Sequence, residues 1–150
     1  MSRVVLLDSG PLGLLTNPKA AAPDTRACAH WAQALLNQGV RLIVPEIADY
    51  EVRRELLRAG KAKGIARLEA LTGRAEFLPI TTAAMRQAAA FWAQARQMGQ
   101  PTAGDKALDG DVILAAQGVT LGVPDIIIAT VNVGHIARFA PADLWQNITA

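Results

Sequence analysis

Short apolar runs alternate along the chain with longer stretches in which apolar positions recur at helical spacing. The runs 3–7 (RVVLL) and 125–131 (DIIIATV) are apolar almost throughout, which is typical of strands buried on both faces of a parallel sheet. The runs 40–44 (VRLIV) and 76–80 (EFLPI) predict two more strands, and the proline in the second predicts a short strand or an edge position.

Helices are predicted between and after these strands. They cover 23–38, the stretch from Pro45 to about Ala59, 65–71, a long helix capped by Thr81 or Thr82, and 109–121, which follows a polar loop over 99–106. We expect the apolar face of the long helix to be core; its residues are Met85, Ala88, Trp92 and Ala95. Helix 109–121 is apolar on nearly every side, so we expect it to be buried, and we expect the tail to pack on the outside through Phe139, Leu144 and Trp145.

The alternation of strands and helices predicts an α/β fold. We expect a three-layer α/β/α sandwich around a mostly parallel sheet, built as one domain by all 150 residues. Ligands of such sheets bind beyond the carboxyl ends of the strands. Asp8 and Asn132 directly follow the two most apolar runs, so we expect both at the functional edge.

The composition excludes several kinds of site. Cys28 is the only cysteine, which excludes internal disulfides and cysteine-built zinc sites and predicts a packed thiol in a reducing cytoplasm. No run approaches the roughly 18 apolar residues of a membrane span, and Asp8 interrupts the first apolar run too early for a signal peptide. The two histidines, His30 and His135, show no ligand spacing and are expected in surface or packing roles.

Acidic side chains occur near the ends and starts of the predicted elements. Asp8 closes the first strand, Glu51 lies in the helix after Pro45, and Asp111 opens the helix that is expected to be buried. Carboxylates brought into one crevice repel each other unless a cation lies among them. The pattern therefore predicts a divalent-metal site and phosphate-ester chemistry, with Ser9 able to cap the turn or to reach the site through its hydroxyl.

Each acid also has a purely structural interpretation. Asp8 suits a helix-capping turn, and Glu51 can pair with Arg54. Asp109 and Asp111 can serve as N-cap and first-turn acid, where they offset the helix dipole. We place Asp111 in the site and leave Asp109 as a cap or an auxiliary residue.

A basic segment follows Glu51. Its residues are Arg53, Arg54, Arg58, Lys61, Lys63 and Arg67, with Glu55 the one acid among them. The net charge of the whole chain is only +2, so this local excess carries more information than the total. A basic flank beside an acidic crevice suits a nuclease, because cations hold the phosphate backbone while the acids hold the metal. The alternative is a solvated helix face.

Four segments carry the candidate residues: VVLLDSGPLG around Asp8, VPEIADYEVRREL around Glu51, LDGDVILAAQ around Asp111, and IIATVN ending at Asn132. In this order they resemble the PIN-domain family, and within it the VapC-like toxins of bacterial type II toxin–antitoxin pairs. The resemblance implies an α/β/α fold and a ribonuclease that uses Mg²⁺ or Mn²⁺. It also implies that Asp8, Glu51 and Asp111 form the acidic cluster.

The resemblance also assigns auxiliary residues and partners. Thr130 would shape the site, while Asn132 stands where the family often has a fourth acid, which lowers the negative charge; Asp109 is a candidate replacement. RNA would be positioned by basic residues, namely Arg53, Arg54, Arg58, Lys61 and Lys63. The implied protein partners are a neutralising antitoxin, whose peptide enters the crevice, and a second copy of the chain in a homodimer.

The expected reaction is metal-assisted hydrolysis of RNA phosphodiester bonds. Two alternatives stay open at this point. One is a PIN nuclease of RNA processing that is not a toxin. The other is a PIN-like binding module without activity, which the asparagine at position 132 makes conceivable.

Overall fold

The computed structural model describes residues 3–19, 21–98 and 105–150. In chain order the elements are β1 Val4–Leu7, α1 Ser9–Thr16, α2 Pro23–Asn37, β2 Arg41–Pro45, α3 Glu46–Arg58, α4 Ala62–Thr72, β3 Glu76–Leu78, α5 Thr82–Gln97, α6 Asp105–Val119, β4 Ile126–Thr130, α7 Val133–Ile136, β5 Ala142–Leu144 and a 3₁₀ helix Trp145–Asn147. Thr81 caps α5, as predicted, and its hydroxyl accepts from the backbone N–H of Ala84.

The strands form one parallel sheet in the order β3-β2-β1-β4-β5. The central strand β1 is buried along its whole length, as its uninterrupted apolar run predicted. The proline-containing run gives the short edge strand β3. The predicted α/β/α architecture is confirmed.

Alternate residues of β1 face opposite layers of the sandwich, as the two-residue period of a strand requires. Val5 and Leu7 belong to a core that also contains Leu12 of α1 and Cys28 of α2. Val4 and Leu6 belong to a second core, on the side of α6 and α7. A third cluster joins α5 to α6; it consists of Ala84, Ala88, Ala95, Leu108, Val112 and Ala116.

Cys28 is a packed thiol, as predicted. Its side chain is buried, and Sγ lies 3.7 Å from the carbonyl oxygen of Pro11. Burial raises the pKa of the thiol to about 12, so the nucleophilic thiolate is not formed near neutral pH.

The apolar face of α5 was predicted to be core throughout, and this prediction is wrong for its two largest members. Ala88 and Ala95 are buried against α6, but Met85 is 47% exposed and Trp92 is 37% exposed. The alanines account for the difference, because they allow the two helices to pack closely while the longer side chains lie at the margin of the contact.

The tail was predicted to pack on the outside: Leu144 is 38% exposed, but the prediction is wrong for Trp145. The tail contributes the fifth strand, β5, which pairs with β4 at the edge of the sheet. Trp145 is 6% exposed and packs on Trp31 with ring centroids 5.5 Å apart. The indole N–H of Trp31 donates to the carbonyl of Ile148 at 2.9 Å, which fastens the tail to α2.

The helix predicted over 109–121 begins at Asp105 and ends at Val119. Most of the predicted loop over 99–106 lies outside the described residues. Within α6, Leu114, Ala115 and Ala116 are buried as expected. Among the described helices, none has the length and apolar character that crossing a membrane requires.

Candidate functional site

Asp8 and Thr130 meet at the carboxyl edge of the sheet because β1 and β4 are neighbouring parallel strands. Asp8 is the N-cap of α1, and its Oδ1 accepts from the backbone N–H of Ser9 at 2.6 Å. Its Oδ2 accepts from the hydroxyl of Thr130 at 2.7 Å. The Thr130 oxygen accepts in turn from the backbone N–H of Asn132 at 3.0 Å. The capping interpretation is confirmed, and the second carboxylate oxygen is oriented by the neighbouring strand.

Glu51 reaches the same edge from α3, which begins directly after β2. Its carboxylate lies against α6 at Gly110: a Cβ atom on this glycine would be 2.8 Å from Glu51 Oε2. A side chain at position 110 would therefore displace the carboxylate. The absence of a side chain at Gly110 lets Glu51 lie beside Asp111, the next residue of α6.

Asp111 lies in the second turn of α6 and is largely buried. Its Oδ2 is buried and has no hydrogen-bond partner among the described residues. Burial is the main cause that raises the Asp111 pKa to about 6; the charge of Asp8 raises this pKa further, and His135 and Arg138 oppose the rise. An unpartnered buried carboxylate oxygen is costly in a folded protein, which makes this atom the least explained in the site.

The three acids interact electrostatically. The pKa of Glu51 is raised, first by burial and then by the charge of Asp8, with a further contribution from Asp111 and an opposing one from Arg54. The structure thus brings Asp8, Glu51 and Asp111 into mutual influence from three separate elements. The ion pair with Arg54 was the alternative interpretation of Glu51, and it does not form: the guanidinium of Arg54 lies over the ring of Tyr50, 5.1 Å from the centroid.

Whether this cluster can bind a metal ion depends on how many side chains must coordinate the ion directly. Within residues 3–19, 21–98 and 105–150, no three His, Cys, Asp or Glu side chains lie close enough together to hold one ion directly. Mg²⁺ usually takes one or two carboxylates and keeps several waters. The residues present therefore fit an ion bound partly through water, with the unpartnered Oδ2 of Asp111 as one ligand.

His135 is a site residue that the sequence did not reveal. It lies on the one-turn helix α7, and its Nδ1 is 3.5 Å from Asp111 Oδ2. It was expected in a surface or packing role, and its side chain is 35% exposed where it packs beside Asp111. A single histidine shows no ligand spacing, and its proximity to Asp111 depends on the position of α7, which was not predicted.

Asp109 is not brought together with the three acids by any described contact. Its interpretation as an N-cap is wrong because α6 begins four residues earlier, and Asp111 likewise is not in the first turn. Asp109 is exposed and borders a groove between α5 and α6, beside Met85 and Trp92. It offers no replacement for a fourth acid near Asp8.

The side chain of Asn132 is exposed and does not cap α7. Its backbone N–H is the part that supports the site, through Thr130. Ser9 lies at the same edge: its hydroxyl is 3.4 Å from Asp8 Oδ1, and the residue borders a groove that also contains Glu51.

This groove runs from Glu51 along α3 and has a volume of about 510 Å³. Three of the predicted basic residues line it, namely Arg54, Arg58 and Lys61. Arg58 also pairs with Glu55 on the surface at 2.9 Å. Lys63 is exposed and is the second residue of α4. Glu51 and three of the cations therefore line one groove.

Arg53 has a structural role that the sequence did not reveal. Its guanidinium donates twice to the buried Asp49, at 3.0 Å each, and a third time to Glu69 of α4 at 2.6 Å. These two carboxylates raise the pKa of Arg53 well above its ordinary value. The residue joins α3 to α4, and its charge is already compensated.

Comparison with known proteins places the fold. A scan against protein-family models finds no match, and a search of curated proteins finds none either. Solved structures do match. A chain of VapBC2 from Rickettsia felis, bound to a DNA fragment from the promoter of these proteins, is 14% identical with a TM-score of 0.71, and the match covers 95% of this chain and 98% of that one.

Two further matches are of the same kind. A chain of DNA-bound VapBC from Salmonella typhimurium is 19% identical with a TM-score of 0.68, covering 97% of this chain and 99% of the other. A chain of VapBC-1 from nontypeable Haemophilus influenzae is 18% identical with a TM-score of 0.65, covering 96% and 99%. At the level of the fold, the resemblance drawn from the sequence is confirmed: over nearly its whole length, this chain has the α/β/α fold of chains from VapBC complexes.

Proposed function

We propose that this protein is a divalent-metal-dependent endoribonuclease and acts as the toxin of a toxin–antitoxin pair. The observation that carries the proposal is Asp111, whose buried Oδ2 lacks a hydrogen-bond partner beside two other carboxylates. A cation would relieve both the unpartnered oxygen and the repulsion among the acids.

Asp8, Glu51 and Asp111 would hold Mg²⁺ or Mn²⁺, partly through waters. The bound ion would supply charge neutralisation at the scissile phosphate and acidify a coordinated water. The protein itself would hold the metal-binding carboxylates in position before the ion binds. Thr130 fixes Asp8 Oδ2, and Gly110 leaves room for the Glu51 carboxylate.

Glu51 is the acid that we assign to accept the proton of the attacking water. It lines the groove in which a substrate would lie, which is where the attacking water would be deprotonated. Asp8 suits this role less well because both of its oxygens already accept hydrogen bonds.

The groove beside Glu51 supports RNA as the substrate class. Arg54, Arg58 and Lys61 line it and can bind backbone phosphates, and Lys63 is exposed nearby. Sequence-selective RNA recognition mostly targets single-stranded loops and ends, so we expect a single strand in the groove. We assign Arg53 a minor part in RNA binding because two carboxylates already engage it.

Toxin function is supported by the structural neighbours, which are VapBC complexes. We infer an antitoxin partner for this chain as well, whose peptide would occupy the crevice, and we infer a homodimer. The molar mass of the purified protein, measured by light scattering, tests the homodimer directly.

The first experiment is cleavage of a mixed RNA pool by the wild type and by Asp111→Asn, each with Mn²⁺ and with EDTA. The matched control is Asp125→Asn, because Asp125 is an exposed acid at the opposite end of β4, paired with Arg3 at 3.3 Å. We expect cleavage by the wild type and the control, none by Asp111→Asn, and none in EDTA. Equal cleavage by all three proteins would contradict the assigned site.

A second experiment separates the toxin from its alternatives. Induced expression of the wild type in bacteria should arrest growth, and expression of Asp111→Asn should not. RNA cleavage in vitro without growth arrest would favour a processing nuclease. Metal binding without cleavage would favour the inactive binding module that the asparagine at position 132 makes conceivable.

A further inference from the structure

His135 and Asp111 face each other at the acid cluster without forming a hydrogen bond. The distance from His135 Nδ1 to Asp111 Oδ2 is 3.5 Å, and this oxygen has no hydrogen-bond partner in the part of the chain that the structure describes. The histidine side chain is 35% exposed, so its ring borders both the acids and the solvent. A ring nitrogen that could bind a metal ion therefore lies beside Asp111 Oδ2, the carboxylate oxygen of the site that lacks a hydrogen bond.

The separation suits two ligands of one ion better than it suits a bonded pair. An N–H···O hydrogen bond spans about 2.7–3.2 Å. Two ligands of one tetrahedral ion lie about 3.4 Å apart when each metal–ligand distance is about 2.1 Å, which is close to the separation observed here. A small adjustment of either side chain would allow His135 Nδ1 and Asp111 Oδ2 to bind the same ion.

We propose that His135 is a ligand of the metal ion and that its nitrogen makes the site select first-row transition-metal dications over Mg²⁺. The proposal rests on the metal centre of the proposed function. Mg²⁺ takes oxygen ligands almost exclusively, whereas imidazole suits transition metals. The exposed amide of Asn132 adds no anionic oxygen that would favour Mg²⁺.

The effect of His135 on metal affinity should differ between Co²⁺, Mn²⁺ and Mg²⁺. For sites with nitrogen ligands, affinity rises from Mn²⁺ to Co²⁺, and Mg²⁺ gains little from the imidazole. The contribution of His135 should therefore be largest for Co²⁺, smaller for Mn²⁺ and near zero for Mg²⁺. A histidine that merely packs against Asp111 would affect all three ions alike.

The test is titration of the metal-free protein with each ion alone, followed by calorimetry or by the shift of the melting temperature. The variant is His135→Gln, and the matched control is His30→Gln, which replaces the other histidine, an exposed residue of α2. We expect His135→Gln to weaken Co²⁺ binding by about 10- to 100-fold, the range seen when groups that support a metal are removed. Mg²⁺ binding should hardly change, and His30→Gln should match the wild type.

Electron spin-echo measurements on bound Mn²⁺ give a readout that is independent of affinity. The wild type and His30→Gln should show nitrogen modulation from a coordinated imidazole, and His135→Gln should not. Equal effects on all ions, or no modulation in the wild type, would overturn His135 as a ligand while the metal centre stands. No metal binding by the wild type, or binding unchanged in Asp111→Asn, would instead overturn the metal centre of the proposed function.

Discussion

Replacing Gly110 with alanine should separate stability from function in this protein. The added Cβ would lie 2.8 Å from Glu51 Oε2, so the carboxylate oxygen must retreat by about 0.6 Å to reach the 3.4 Å of an ordinary contact. The atom that must move is the end of a flexible side chain, and the carboxyl carbon behind it is already 3.6 Å away. The backbone of α6 therefore needs no adjustment.

We expect Gly110→Ala to gain folding stability and to lose cleavage activity. Alanine is favoured over glycine in a helix interior by about 1 kcal/mol. In a chain of this length that corresponds to a rise in melting temperature of about 2–4 °C. A displacement of catalytic groups by a fraction of an ångström to 1 Å can cost up to about 100-fold in rate, so we expect RNA cleavage to fall by about 10- to 100-fold.

The assay measures thermal unfolding in EDTA, Mn²⁺ affinity and RNA cleavage on the same preparations. Gly118→Ala is the matched control, because Gly118 lies in the same helix and its added Cβ would make ordinary contacts with the side chains of Ile128, at 3.4 Å, and Ile126, at 3.6 Å. The control should gain stability and keep metal binding and cleavage. The reasoning is refuted if Gly110→Ala binds Mn²⁺ and cleaves RNA like the wild type, or if it unfolds more easily than the wild type.

Three further predictions follow from the same contacts. Asp111→Asn should raise the unfolding free energy of the metal-free protein at pH 7.5 by on the order of 2 kcal/mol. The folded-state pKa of Asp111 is raised to about 6, so its ionised carboxylate destabilises the fold above that pH, and this destabilisation disappears as the pH falls towards 4. Denaturant titrations at pH 7.5 and at pH 4 check the difference. Thr130→Val should lower the unfolding free energy by about 1–3 kcal/mol and also reduce cleavage, because the hydroxyl bonds Asp8 and a backbone N–H; a stability loss without a cleavage defect would contradict its positioning role. Arg53→Ala should destabilise the fold by about 1–3 kcal/mol, since it leaves the buried carboxylate of Asp49 unpaired. Arg54→Ala, in contrast, should leave the melting temperature unchanged. It should weaken RNA binding and reduce the salt dependence of that binding in filter-binding assays.

The sheet and the three acids could be predicted because local sequence determines them. The residues of β1 are all apolar, and such a run is stable only where both faces are covered. Asp8 directly follows this strand, so its place at the carboxyl edge depends on the strand alone. Glu51 likewise follows β2 by a fixed length of helix.

The features that were missed depend on contacts between distant parts of the chain. The burial of Trp145 depends on Trp31, and the exposure of Met85 depends on how closely α5 packs against α6. The function of Gly110 depends on Glu51, nearly 60 residues earlier in the chain. Such pairings leave no periodic pattern in the sequence, so hydrophobic spacing does not reveal them.

The structure also gives a physical account of the asparagine at position 132. Its contribution to the site is a backbone N–H that supports Thr130, and any residue with this group can make it. Three residues later, His135 lies beside Asp111 and opposes the rise of its pKa, where a fourth carboxylate would add to that rise. The segment after β4 thus supplies a backbone donor and an imidazole in place of an acid. The acid cluster therefore has no fourth carboxylate from position 132, and the imidazole of His135 lies 3.5 Å from Asp111 Oδ2 instead.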